Sequence, residues 1–286
     1  MKKKIIGLLI LLLIYVMAFF VGFGTYFLTS KVIGDIILNL LIADVSATIF
    51  IWIVGLVLKT ASIYDPYWSI QTVAIYVPLQ IMYGFNLGNI IFLIFLSLWA
   101  IRLTYNFIKT FNDITYLDWR YKNIQIKTKG LYPLVSLLGI HMVPTLIVFA
   151  TSIPAFMYVI KGFDFNFLNL IGLLTMFIGV LLEFSADRNM HQFKKTRTDR
   201  SQIINVGLWK YSRHPNYLGE ILFWYGVAFT LIFPNVTYWY LIVGAILNTL
   251  LFLFISIPLA ENHMKTYKPG FEEYKKRTRM LLPIKK

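Results

Sequence analysis

The stretch KYSRHPNYLGEILFWYG, residues 210–226, crowds Lys210, Arg213, His214, Asn216 and Glu220 against the start of an apolar run. Arginine offers a planar, bidentate grip on phosphate or carboxylate. Pro215 lacks an amide hydrogen and fits the first turn of a helix, so a helix is expected to begin there, with Asn216, Tyr217 and Glu220 in its first turns. The free N–H groups and positive dipole end of that helix favour an anion, and Arg213 and His214 stand beside it. These residues point to a phosphate-binding corner at the edge of a membrane span.

Two further segments carry chemistry of the same kind. In LEFSADRNMHQFKK, residues 182–195, Glu183 and Asp187 lie one helical turn apart, where like charges repel. Arg188, His191, Lys194, Lys195 and Arg197 follow as compensating cations, and Asp187, His191 and Lys194 recur at helical spacing as one polar stripe. A solvated helix extension is the plainer reading, and closeness to residues 210–226 favours a site. The segment ENHMKTYKPGFEEYKKRTRMLLP, residues 261–283, gathers His263, Tyr267, Tyr274, Lys275, Lys276, Arg277 and Arg279. A polybasic tail of this kind is drawn to anionic lipid, but Pro269-Gly270 and the apolar Met280–Pro283 end predict an ordered segment that folds back. Charges at bilayer depth cost about 2.5–3.5 kcal/mol each, so Asp44, Arg102 and Glu261 require cavities or partners. Asp44 by itself reads as a packing residue that pairs with another helix.

The elements that must position these groups are membrane helices. Of 286 residues 58% are hydrophobic and only 14% charged, too few charges for the surface of a soluble domain. Eight apolar spans are expected, near 5–28, 36–58, 69–84, 88–108, 131–160, 168–184, 217–233 and 237–258. The third is short, and Pro144 and Pro154 predict a kink or break in the fifth. The first run, after Met1-Lys2-Lys3-Lys4, is too long for a signal peptide and reads as a retained anchor. With both termini inside, 24 of the 27 Lys and Arg fall in cytoplasmic segments, while only Lys31 and Lys161 fall outside. That bias explains the net charge of +14 without nucleic acid.

Other chemistries are excluded by type. The absence of cysteine removes disulfides, thiolate nucleophiles and Cys-ligated metals. The four histidines form no ligand pair, so no metal is expected. Neither G-x-G-x-x-G nor a P-loop is present. No repeat is detectable, which argues against a transporter or scaffold. One membrane domain over residues 1–286 is expected, with residues 1–60 as N-terminal anchor helices.

GLWKYSRHPNYLGE (207–220), with LEFSADRNMHQFK before it and YKKRTRMLLP after it, resembles the bacterial DUF1295 family. That family is similar to the C-terminal domain of steroid 5-alpha-reductases and, more distantly, to sterol reductases and isoprenylcysteine carboxyl methyltransferases. DPYWS (65–69) also looks like the family's N-terminal half, and the resemblance spans most of 60–286. It implies an all-α polytopic enzyme of the bacterial cell membrane, with a cofactor-binding half over 180–283 open to the cytoplasm. The implied activity is NADPH-dependent reduction of a C=C bond conjugated to a carbonyl in a lipid- or steroid-like substrate. The alternative cofactor is S-adenosylmethionine, used by the methyltransferase branch on a lipophilic acceptor. Positions matching the reductases' cofactor pattern are Glu183, Asp187, Lys194, Asn216, Glu220, His263 and Tyr267. Arg213 and His214 occur in both branches, and Tyr217 and Arg277 are expected to line the same site. The reductases polarise the carbonyl with an acid and a tyrosine on early helices. Asp65, Tyr67 and Tyr105 are the chemically suitable groups here, although Asp65-Pro66-Tyr67-Trp68 reads equally as a turn and an interfacial aromatic belt.

Overall fold

The computed structural model describes residues 2–284, and every named element among them is helical. The chain divides into two compact units, Met1–Phe163 and Asp164–Lys286. Among the described residues, six helices are long and apolar enough to cross a membrane, which marks an integral membrane protein. The other two expected spans also fold as helices, at Tyr67–Tyr83 and Pro215–Ile232, but neither is among those six.

Unit one contains α1 (Lys2–Thr29), α2 (Ile36–Val57), α3 (Tyr67–Tyr83), α4 (Leu87–Thr110), the short α5 (Trp119–Thr128), the single turn α6 (Tyr132–Val135) and α7 (Val143–Ile160). Their N-terminal amides lack partners within the helix and find them in side chains. Asp35 accepts from Leu38 N at the start of α2, Asn86 from Asn89 N at α4, and Asp118 from Arg120 N at α5. A π-helical stretch, Ser136–Met142, leads into α7. It ends just before Pro144, whose ring displaces an α-helical hydrogen bond, and the wider turn takes up the freed carbonyls. The kink expected in the fifth span is therefore a change of helix type. One hydrophobic cluster of this unit packs Leu11, Ile14 and Ala18 of α1 on Ala47 and Ile51 of α2, with Tyr64, Tyr67 and Phe107.

Unit two contains α8 (Asn169–Thr196), α9 (Pro215–Ile232), α10 (Val243–Leu251), α11 (Ile257–Tyr267) and α12 (Phe271–Arg277). A second π-helical stretch, Phe252–Ser256, precedes Pro258 in the same way. Lipid tails are as apolar as leucine, so membrane helices associate through close packing rather than water exclusion. Here α8 and α9 meet along glycines. A Cβ on Gly172 would lie 2.2 Å from Thr230 N, and one on Gly179 would lie 2.7 Å from Gly219 O. A Cβ on Gly226 would come within 2.5 Å of Met176 N. The two backbones touch, and no side chain larger than hydrogen fits between them.

Candidate functional site

All of the expected cofactor residues lie in unit two. The α8 helix runs unbroken to Thr196, so the polar stripe is one continuous helical face. Glu183 is buried where α8 meets α9, and a Cβ on Gly219 would lie 2.5 Å from its Cγ. Further along, Asp187 lies close enough to Lys194 to interact with its charge. The α9 helix begins at Pro215, as its sequence predicts, with half-buried Asn216 and Tyr217 following. The ring of Tyr217 is stacked on His214, with centroids 5.2 Å apart and planes 5° from parallel, and it also meets Phe252. Trp224 Nε1 donates to Glu220 Oε1 at 2.9 Å. On α11 the rings of His263 and Tyr267 are 5.1 Å apart, and exposed Arg277 ends α12.

Arg213 and His214 are buried, and both turn to Glu261. Arg213 Nε donates to Glu261 Oε1 at 2.7 Å, and His214 Nε2 lies 3.1 Å from the same oxygen. Lys275 Nζ is 3.2 Å from Glu261 Oε2. Arg213 Nη1 also donates to the Thr278 carbonyl at 2.5 Å. The backbone completes the clamp: Arg213 N donates to Arg279 O and His214 N to Met280 O, beside a parallel bridge between Ser212 and Arg279. Tyr274 OH reaches Trp209 O at 2.5 Å, and Trp209 Nε1 donates to Ala186 O at 2.9 Å. The tail thus folds back, as expected, and ties the 209–214 segment to α8. Burial holds the His214 imidazole below its ordinary pKa; Glu261 opposes that shift and Arg213 reinforces it.

A second set of cations gathers at the end of α8. Lys268 interacts with Arg197 and Lys194, while Asp199 opposes them, and its ammonium donates to the Gln202 carbonyl. Burial first, then Arg197, pushes the Lys268 pKa down. Like charges held this close favour a polyanion, such as a nucleotide phosphate.

Unit one separates the expected catalytic residues. Asp65 accepts from Tyr121 OH and lies 3.7 Å from Arg120 Nη2, which in turn pairs with Asp118 through Nε at 2.7 Å. Burial raises the Asp65 carboxyl to about 6, against the opposing pull of Arg120 and Tyr121. Tyr105 is exposed on α4 with the Lys109 ammonium 4.3 Å from its ring centroid, and it lines a groove of about 500 Å³ with Val73, Ser97 and Thr104.

Tyr67 instead faces Asp44. Both line a different cavity of about 110 Å³, walled by Ala18 and Gly22 of α1, Ala43 of α2 and Ala74 of α3, with Gln71 beside them. Behind this polar end runs a chain of hydroxyls. Tyr64 OH lies 2.8 Å from Thr145 Oγ1, which is 3.0 Å from Thr48 Oγ1, and Gln71 Nε2 donates to Thr145 O at 3.4 Å. Asp44 Oδ2 and Gln71 Oε1 are buried without a hydrogen-bond partner. Asp44 pairs with Tyr67 of another helix, as a packing residue would, but no ion pair holds it among the described residues. The signal in the sequence was only the carboxylate itself, alone in an apolar run, and Gln71 gave none.

The profile of the family described as "Protein of unknown function (DUF1295)" matches residues 51–278. An uncharacterized protein of Schizosaccharomyces pombe is 27% identical over 228 residues, covering 70% of this chain and 64% of that protein. The 3-oxo-5-alpha-steroid 4-dehydrogenase 1 of Macaca fascicularis is 30% identical over 115 residues, 40% of each chain. The chain therefore spans less than two thirds of the length of either relative. No solved structure matches it.

Proposed function

Because the chain belongs to the DUF1295 family, we propose that it is a membrane reductase, using NADPH to saturate a C=C bond conjugated to a carbonyl in a lipophilic substrate. One observation carries the reading: an apolar cavity in unit one ends on a carboxyl and a phenol, Asp44 and Tyr67. The match to a steroid 4-dehydrogenase points to the same reaction class. In a multi-pass arrangement with all eight helices spanning and both termini cytoplasmic, the cation-rich segments of unit two meet the cytoplasm of a bacterial cell, where the cofactor is dissolved.

NADPH, when bound, supplies a hydride to the β-carbon. The chain's own part is electrostatic. The Asp44 carboxyl and the Tyr67 phenol, hydrogen-bonded to each other, together present one donor to the carbonyl oxygen as negative charge develops there. Expelling water from the apolar walls strengthens both interactions. In unit two, Lys194, Arg197 and Lys268 suit the cofactor's phosphates, and Asp187, Asn216, Glu220, His263 and Tyr267 supply polar contacts along the same face. Glu183 supports that face at the glycine seam. Arg213 and His214, engaged by Glu261, hold the 209–217 segment and the tail in place, with Tyr217 stacked on the imidazole.

Equilibrium binding of NADPH and of S-adenosylmethionine to the detergent-purified protein tests this. NADPH binds, and Asn216→Ala and Asp187→Ala weaken it without unfolding the protein. Binding of S-adenosylmethionine alone transfers the chain to the methyltransferase reading. Binding of neither leaves a non-enzymatic membrane protein.

A further inference from the structure

The walls and the polar end of the unit-one cavity restrict what enters it. The cavity, open along one side, has a volume of about 110 Å³, below the roughly 150 Å³ that holds one benzene ring. Its floor is narrow where α1 approaches α2, since a Cβ on Gly22 would sit 3.3 Å from Ala43 O, and Ala74 of α3 lines the facing wall. A space of this volume takes up a few methylenes at the end of an extended chain and is too small to take up a four-ring skeleton whole. The side walls include Phe19, Phe23 and Met82, which are 40%, 55% and 57% exposed on the apolar surface. In a membrane such residues face lipid, so a chain can thread in sideways and leave its remainder in the bilayer.

The polar end adds a second restriction. Tyr67 and Asp44 are hydrogen-bonded to each other, while Asp44 Oδ2 and the acceptor Gln71 Oε1 have no partner. The Gln71 amide is held in this orientation by its Nε2 bond to the Thr145 carbonyl, which an amide flip would turn into an oxygen–oxygen contact. A buried acceptor left unsatisfied is costly. A ligand that presents only a carbonyl can take the one donor that the Asp44–Tyr67 pair offers, but it leaves Gln71 Oε1 unpaired. One that carries an N–H or O–H beside its carbonyl satisfies both kinds of group.

We propose that the substrate is a single-chain, α,β-unsaturated lipid whose carbonyl end also carries a hydrogen-bond donor, an amide or hydroxyl, and not a fused-ring ketone. This rests on the reductase reading for the unsaturation, while shape and head group follow from the cavity.

The test is equilibrium binding to the full chain in lipid nanodiscs, with empty nanodiscs as background. The probes are radiolabelled trans-2-hexadecenamide, the ketone trans-3-heptadecen-2-one and progesterone. The amide is expected to bind about tenfold more tightly than the ketone, the worth of one added hydrogen bond. Gln71→Leu erases that difference, and Ala74→Phe, which fills the slot away from the polar end, abolishes binding of both chains. Progesterone stays at background. Specific progesterone binding, equal affinity for amide and ketone, or amide binding that survives Ala74→Phe in a variant with an unchanged melting temperature each overturns the proposal. NADPH oxidation is read in parallel. Amide bound but not reduced removes the reaction and keeps the ligand class, whereas progesterone bound and reduced does the reverse.

Discussion

Two polar clusters lie in apolar surroundings, and they are satisfied in different ways. In unit two, Glu261 receives Arg213, His214 and Lys275, and the guanidinium of Arg213 is further engaged by the Thr278 carbonyl. In unit one, Asp44 lies beside a single phenol at the end of a cavity, and its Oδ2 has no partner. A buried charge that the protein neutralises itself holds segments together, because removing one member strands the others. A buried carboxyl left without such partners stabilises little and is available to something that arrives from outside. The contrast marks the conspicuous Arg-His-Pro run as a holding element and is in keeping with the ligand role proposed for Asp44.

The largest test of that contrast is Glu261→Ala. It leaves a buried guanidinium uncompensated and is expected to cost about 3–5 kcal/mol in denaturant unfolding of the detergent-solubilised protein. A cost below about 1 kcal/mol would mean that the cluster holds nothing. Next comes the glycine seam. Gly179→Val pushes a side chain against the backbone at Gly219 and Phe223 and is expected to cost about 1–3 kcal/mol or more. Gly24→Ala in α1, where nothing lies within 4 Å, is expected to be neutral or slightly stabilising. Equal effects at the two positions would contradict the close approach of α8 to α9.

The pH response separates the units by sign. Asp65 has a folded pKa raised to about 6, so its contribution is present below the ordinary carboxylate pKa near 3.8 and is lost as pH rises through 6. His214 has a folded pKa below 6.5, so its contribution is present above 6.5 and is lost as pH falls through the folded value. Hydrogen exchange between pH 4 and 7 is therefore expected to show peptides around 62–65 becoming less protected with rising pH, and those around 212–217 more protected. Asp65→Asn flattens the first trend, and a shared direction in both units would refute the assignment. The smallest effect is Asp44→Asn, expected to change stability by less than about 1 kcal/mol because the amide oxygen still accepts from Tyr67. A loss as large as that of Glu261→Ala would make Asp44 a structural residue after all.

Much of this architecture was readable along the chain. Long apolar runs, Pro215 at a helix start and the turn signals in the tail act locally, so a few adjacent residues specify each one. The partner of Arg213 and His214 lies 48 and 47 positions away at Glu261, and no local pattern links them. Likewise, Tyr67 is two residues from Asp65, yet it enters α3 facing Asp44 on α2, because the turn at Ser62–Tyr64 leaves Asp65 to Tyr121. Proximity in sequence favoured the wrong carboxylate as its neighbour, and only the packing of helices distinguishes the two. The donor and acceptor count at Gln71 was equally hidden, since it depends on which of its amide atoms Thr145 occupies.

The π-helical stretch Ser136–Met142 has a consequence for how this chain tolerates change in length. A wide turn stores an extra residue that a regular helix of the same rise would not need. It carries His141, whose ring lies 4.7 Å from Tyr64 behind the cavity. Deleting one residue there lets the backbone close into an ordinary helix while the flanks keep their register, because the wide turn had absorbed the extra residue. A codon lost at that point would re-aim His141 within the stretch and leave the threonine that links Tyr64 to Thr48, and the hydrophobic length of the segment, almost untouched. The stretch is a buffer against changes in length, since the same deletion in a regular helix would turn one of its ends by about 100° relative to the other.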